Sequence, residues 1–141
     1  MNERILLDTG PLVALFSVSD ASHDRCVTTL GSLTPPIFTC WPVITEATYF
    51  LRKRPQAMNR ILDGFAGRLF ALLPLDVEDI GPIAAIMTRY ESLGLPLADA
   101  ALLHLTHREG IRTIFTLDRR DFSVVRLKRN RPLRLIPEAE N

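Results

Sequence analysis

The sequence predicts a three-layer α/β/α domain around a mainly parallel sheet of about five strands. Three observations carry this reading. Short apolar or β-branched runs alternate with longer stretches of helical period, and Gly, Pro or Asp punctuates nearly every change of period. The chain is 141 residues long and 47% hydrophobic, and a domain near that size buries roughly 70% of its unfolded surface. No repeat, linker or low-complexity block divides residues 1–141, so one domain is expected.

Arg4 to Leu7 reads as a short buried strand, ended by Asp8-Thr9-Gly10-Pro11, after which Leu12, Val13, Leu15 and Phe16 begin a helix. A second helix runs from Ser22, with Ser22 or Asp20 as its cap, to about Leu33. Pro35-Pro36 stops it before a strand at Ile37 to Cys40. Pro42 opens the next helix, whose stripe of Val43, Ile44, Ala47, Phe50 and Leu51 leads to Arg52-Lys53-Arg54-Pro55. Pro55 to Phe70 forms a further helix, with Met58, Ile61, Leu62, Phe65 and Leu69 at helical spacing, and Ala71 to Leu75 a strand. Asp76 caps a helix reaching Ser92, bent or delayed near its start by Pro82, with Ile80, Ile83, Ala84, Ile86, Met87 and Tyr90 on its buried side.

Gly94 and Pro96 precede a helix over Leu97 to Glu109, and Gly110 stands where a C-cap glycine belongs. Its apolar residues wrap most of the way round, as expected of a helix packed into a core. The run Thr113 to Leu117 has the length and composition of a buried strand. Leu133 to Ile136 supplies the last strand, and a polar tail begins at Pro137.

Composition excludes several classes. Cys26 and Cys40 lie far apart without a CxxC pair, so buried thiols are expected rather than a disulfide framework or zinc knuckle. The start of the chain carries an acid and only a short apolar run, and no stretch of about 18 apolar residues occurs, which predicts a cytoplasmic protein without a membrane span. No GxGxxG follows the first strand, and no elbow motif frames a Ser or Cys nucleophile. His104 and His107 lack the HExxH context of a zinc site. A phosphoacceptor domain would need paired acids after the first strand, where Thr9 and Gly10 follow Asp8. Net charge is only +1, but Arg119 to Arg134 holds seven basic residues against the single acid Asp121.

Four acids stand out by position. Asp99 shares a helix face with Leu102, Leu103 and Thr106, where an unpaired charge is costly unless the helix dipole or another partner offsets it. Asp8 and Asp118 stand at strand ends, where open parallel sheets bind ligands. Asp8 equally suits an N-cap, and Glu46, beside Val43 and Phe50, equally suits a side chain reaching water. On the expected sheet all four reach one rim. Converging carboxylates repel, so either some retain protons or a cation binds, and an oxygen-only donor set favours Mg²⁺ or Mn²⁺.

The segments ILLDTGPLVALF, VITEA, LPLADAALLHLTHREGIRTIFTLDRRDF and PLRLIP, in this order, resemble the PIN-domain nucleases, and more narrowly the VapC-type toxins of type II toxin-antitoxin pairs. The resemblance covers nearly the whole chain and implies a PIN-like fold with Asp8, Glu46, Asp99 and Asp118 as catalytic and metal-binding acids. It places a supporting hydroxyl at Thr116 and a fifth acid at Asp121, in a loop of variable length where a solvated turn residue is the alternative. The implied activity is endoribonucleolytic: Mg²⁺ or Mn²⁺ activates water for hydrolysis of an RNA phosphodiester, here in a structured RNA whose cleavage inhibits translation. Arg119, Arg120, Arg126, Lys128 and Arg129 would hold flanking phosphates, or form a merely solvated face. The resemblance further implies a homodimer and an antitoxin whose helix enters an apolar groove beside the acids. Phe16, Tyr49, Phe50 and Leu51 are candidates for that groove, with Phe50 expected in the core. A non-toxin PIN nuclease, or a PIN-like module that binds RNA without cutting it, is the alternative.

Overall fold

The computed structural model describes residues 3–125 and 131–139. Its sheet has five strands, β1 (Ile5–Leu7), β2 (Ile37–Thr39), β3 (Phe70–Leu72), β4 (Thr113–Phe115) and β5 (Arg134–Ile136), in the order β3-β2-β1-β4-β5. Every pairing is parallel, with Leu6 opposite both Phe38 and Ile114. The strand order reverses beside β1, so the crevice between the carboxyl ends of β1 and β4 is the point where such sheets take ligands.

The first crossovers are made by α1 (Thr9–Leu15) and α2 (His23–Gly31), then by α3 (Trp41–Phe50) and α4 (Pro55–Ala66). α5 (Val77–Arg89), a 3₁₀ turn (Glu91–Leu93) and α6 (Leu97–Glu109) return the chain to β4, and α7 (Arg119–Phe122) follows it. With the strand order reversing at β1, crossovers of the usual right hand carry helices to both faces of the sheet, the three-layer arrangement.

Burial explains why these segments settle as they do. β1 and β4 are buried along their whole length, the condition of central parallel strands. α6 is the central helix, with every residue from Ala98 to Thr106 buried, and Gly110 closes it at φ 68°, a left-handed conformation that glycine adopts without a Cβ penalty. Cys26 and Cys40 are both free and buried, as the sequence implies.

Several sequence expectations are corrected. α4 ends at Ala66, and Phe70 opens β3, whereas helical spacing carried the helix through Phe70. Leu69 and Phe70 happen to continue the stripe of Phe65, but Gly67 and the left-handed Arg68 break the helix before them. β4 stops at Phe115, and its continuation Thr116-Leu117 turns toward the crevice. α1 starts at Thr9 rather than Leu12, since Pro11 is tolerated in a first turn. α5 starts at Val77 and runs through Pro82 without delay. It buries Ile83 and half-buries Ile86 and Tyr90, while Ile80, Ala84 and Met87 face outward. Leu97, expected in the core, is also exposed. At the end of α3 the two apolar residues exchange places: Leu51 turns into the core and Phe50 is 60% exposed.

Candidate active site

At the crevice, Asp8 follows β1 and caps α1, so its cap geometry and its position at the strand tip coincide. Its Oδ1 accepts the Thr9 backbone N–H at 2.8 Å, and its Oδ2 accepts the Thr116 hydroxyl at 2.7 Å. The Thr116 Oγ1 in turn accepts the Asp118 backbone N–H at 2.9 Å. One threonine thereby fixes the strand-end acids of β1 and β4 relative to each other. Asp118 caps α7 and accepts the Asp121 N–H at 3.4 Å. That short helix was not read from the sequence, because its four residues show no apolar period.

Asp99 is brought in by the first turn of α6 and Glu46 by the middle of α3. A pocket of about 550 Å³ is lined by Asp8, Glu46, Asp99 and Asp118 together. Asp121 does not line it, but its carboxylate oxygen lies within 4.8 Å of oxygens of both Asp99 and Asp118. Two residues of this pocket escape a sequence reading. Asp20 is a fifth acid at its wall, disguised as a turn residue because its carboxylate also holds the Ser22 N–H at 2.8 Å. Phe50 adds an exposed ring where core was expected.

The electrostatics follow from burial and crowding. Desolvation pushes the Asp99 carboxyl up to about 8, reinforced by the charges of Asp8, Asp118, Glu46 and Asp121. Asp8 is pushed up to about 6, chiefly by burial, against the opposing hydrogen bonds from Thr116 and Thr9. Asp121 is also raised, by desolvation and then by Asp118. Among the described residues no basic side chain lines the pocket, and Arg120 partly offsets the rise at Asp121.

The residues present fit a hard divalent cation. Their donors are oxygens only, three of them lie within mutual ligating range, and the buried Thr9 hydroxyl beside Asp8 has no hydrogen-bond partner. Asp99, Asp118 and Asp121 could hold such an ion directly, with Asp8 and Glu46 on the walls around it. The histidines take no part: His104 Nε2 bonds Asp79 at 2.6 Å between α5 and α6.

The basic residues are distributed differently. Arg119 is directed to the sheet edge, where its Nη1 donates to the carbonyls of Pro137 at 2.8 Å and Leu135 at 3.3 Å. Arg120 is exposed, while Arg126, Lys128 and Arg129 lie outside the described residues.

Fold and site define a class: a small parallel α/β domain whose ligand-binding rim is acidic rather than glycine-rich. The family model for the PIN domain matches residues 5–128, and the chain belongs to that family. Over 124 residues it is 31% identical to Ribonuclease VapC26 of Mycobacterium tuberculosis, covering 86% of this chain and 92% of that one. Among solved structures it resembles VapC20 of Mycobacterium tuberculosis, described as a sarcin-ricin loop cleaving toxin, with a TM-score of 0.71 at 19% identity, covering 83% of this chain and 92% of that one. A toxin-antitoxin complex from Klebsiella pneumoniae matches with a TM-score of 0.68 at 18% identity, covering 86% of this chain and 92% of its counterpart. At such identities the structural matches speak for the fold.

Proposed function

We propose that this chain is a metal-dependent endoribonuclease and the toxin of a toxin-antitoxin pair. The observation that carries the reading is the convergence of Asp8, Glu46, Asp99 and Asp118 on one pocket at the carboxyl ends of β1 and β4. The ribonuclease named among its relatives supports RNA as the substrate.

In this reading Asp99, Asp118 and Asp121 bind the cation, and Asp8 and Glu46 complete its anionic surroundings. A bound Mg²⁺ or Mn²⁺ supplies Lewis acidity and makes water acidic enough to attack a phosphodiester near neutral pH. Thr116 keeps Asp8 aimed into the pocket and prevents the two strand-end acids from separating under their mutual repulsion. Asp99, protonated more readily than an ordinary carboxyl, gives up that proton on loading, so cation and proton compete for it.

The antitoxin belongs to the same reading and is supported by the toxin-antitoxin complexes of similar fold. A second groove, lined by Trp41, Tyr49, Leu97 and Ala98, shares Glu46 with the acidic pocket. Trp41, Tyr49 and Leu97 are each more than half exposed, an apolar surface on which a partner helix can lie and overhang the acids. A homodimer is also part of the proposal, with the outward Val77, Ile80 and Met87 of α5 as apolar surface for it.

The test is to incubate the purified protein and its Asp99→Asn variant with total cellular RNA under Mg²⁺, Mn²⁺ or EDTA and to map new 5′ ends. Discrete cuts requiring both metal and Asp99 are expected. Cleavage that persists equally in EDTA and in the variant would overturn the proposal, and RNA binding without cleavage would favour a non-catalytic module.

A further inference from the structure

A polyanion cannot cross a pocket walled by Asp8, Asp20, Glu46, Asp99 and Asp118 unless positive charge holds it on the flanks. Of the basic residues after β4, Arg119 is directed to the carbonyls of Leu135 and Pro137, and Arg120 is a single exposed charge beside Asp121. The described cations that do gather lie elsewhere, at the turn between α3 and α4.

There a groove of about 700 Å³ is lined by Lys53, Arg54 and Arg60 together with Phe16, Val18 and Ser19, and among the described residues by no acid. Arg54 is pre-oriented, its Nη1 donating to the Ser17 hydroxyl at 2.7 Å and its Nη2 to the Ser19 hydroxyl at 3.1 Å. Those serines anchor one edge of the guanidinium without neutralising it. Lys53 and Arg60 are exposed at the same groove.

This groove adjoins the acidic pocket along two stretches of chain. Val13 and Asp20 line the acidic side while Phe16, Val18 and Ser19 line the basic side, and Phe50 faces the acids three residues before Lys53. Phe50 is 60% exposed and stacks edge-on with Tyr49, over whose ring the Arg52 guanidinium sits at 4.2 Å. Exposed rings beside clustered cations are what single-stranded nucleic acid uses, with bases on the rings and phosphates on the charges. A protein partner would be expected to bring acids to the same cations, and the groove's position next to the acidic pocket favours the strand that this pocket would cut.

We propose that the groove of Lys53, Arg54 and Arg60 is a phosphate-binding subsite that holds single-stranded RNA on one flank of the acidic centre, with Phe50 as the stacking platform between them. The inference rests on the ribonuclease reading of the acidic pocket.

The experiment measures binding of a fluorescein-labelled oligouridylate, long enough to span both grooves, to Asp99→Asn protein across a salt series in Mg²⁺. The same series is run for Asp99→Asn carrying Lys53→Gln and Arg60→Gln, two exposed positions whose neutralisation preserves side-chain bulk, with circular dichroism confirming the fold. At about 0.7 per phosphate contact on a single strand, the slope of log affinity against log salt should fall by about 1.4. A Phe50→Ala variant should weaken binding without changing that slope. An unchanged affinity and slope in the Lys53, Arg60 variant would overturn the subsite and leave the nuclease reading standing. Loss of antitoxin capture with RNA binding intact would assign the groove to the protein partner and overturn the proposal equally. Failure of the Asp99→Asn parent to bind RNA that the wild-type protein cleaves would overturn the subsite alone, and absence of both binding and cleavage would overturn both readings.

Discussion

Thr116 donates its hydroxyl to Asp8 Oδ2 at 2.7 Å, so the residue that leaves β4 holds the acid that leaves β1. The Thr116 Oγ1 also accepts the Asp118 N–H at 2.9 Å, and Thr116 is only 1% exposed, so water cannot replace it. Thr116→Val keeps the shape and leaves the buried Asp8 oxygen and the part-buried Asp118 N–H without their partner. Stability should fall by about 1–3 kcal/mol in urea unfolding, with RNA cleavage also reduced, whereas Thr116→Ser should restore both. Equal stability of the Val and Ser variants would contradict the account.

The raised acids give a signed pH dependence. Burial holds the Asp8 and Asp99 carboxyls up at about 6 and about 8 in the folded chain, against about 4 when unfolded. Between those limits the folded state holds protons that the unfolded state has released, so the stability these groups contribute falls as pH rises from about 4 to about 8. In EDTA, buffered melting curves should therefore show a lower contribution to Tm at pH 8 than at pH 5. Mn²⁺ should raise Tm more at pH 8, where the carboxylates are free of protons. A larger rise at pH 5 would contradict the assignment.

Asp79 joins α5 to α6. It accepts the Asp76 N–H at 2.8 Å in a capping box, bonds His104 at 2.6 Å and meets Arg108 at 3.1 Å. The Asp76 N–H, and then His104, hold its carboxyl down to about 2, so its contribution is present above about pH 4 and lost only as pH falls through about 2. Asp79→Ala should lower Tm by several degrees and leave Mn²⁺ affinity unaltered, which separates packing from the acidic site. A parallel loss of Mn²⁺ binding would contradict that separation.

Gly64 lies against Phe70, and an added Cβ would come 2.7 Å from the ring. That ring cannot retreat, being 2% exposed and packed at 6.0 Å from Phe16 and 5.6 Å from Phe65. Gly64→Ala gains at most about 1 kcal/mol of helix propensity. Overpacking should cost about 1–3 kcal/mol and prevail, giving a lower Tm. A stabilised variant would show that Phe70 has room to move.

The parts of the fold that were legible are those where local chemistry and tertiary packing agree. α6 has a proline before it, a left-handed glycine after it and apolar residues nearly all round, and its burial follows directly. The switch point was legible through Asp8 and Asp118, since strand-end acids in a parallel sheet have one rim to occupy. What was not legible depended on which of two neighbouring residues turned inward. Phe50 and Leu51 carry equal apolar signals, and only the end of α3 decides that Leu51 is buried. Ile80 and Met87 fit a buried stripe in period, yet α5 packs chiefly against α6, and among the described residues Ile83 and part of Ile86 are covered while Ile80 and Met87 are not. Asp20 was hidden because its bond to Ser22 satisfies every local reason for an aspartate there.

Whether the acids at this rim form a cation site is decided by Mn²⁺ titration of the metal-free protein at pH 8 by calorimetry, with Asp99→Asn as the comparison. Saturable binding with proton release to the buffer is expected, weakened at least about tenfold in Asp99→Asn, the loss that follows when a ligand of a metal site is disturbed. Equal Mn²⁺ affinity in the two proteins, or no saturable binding by either, would contradict it.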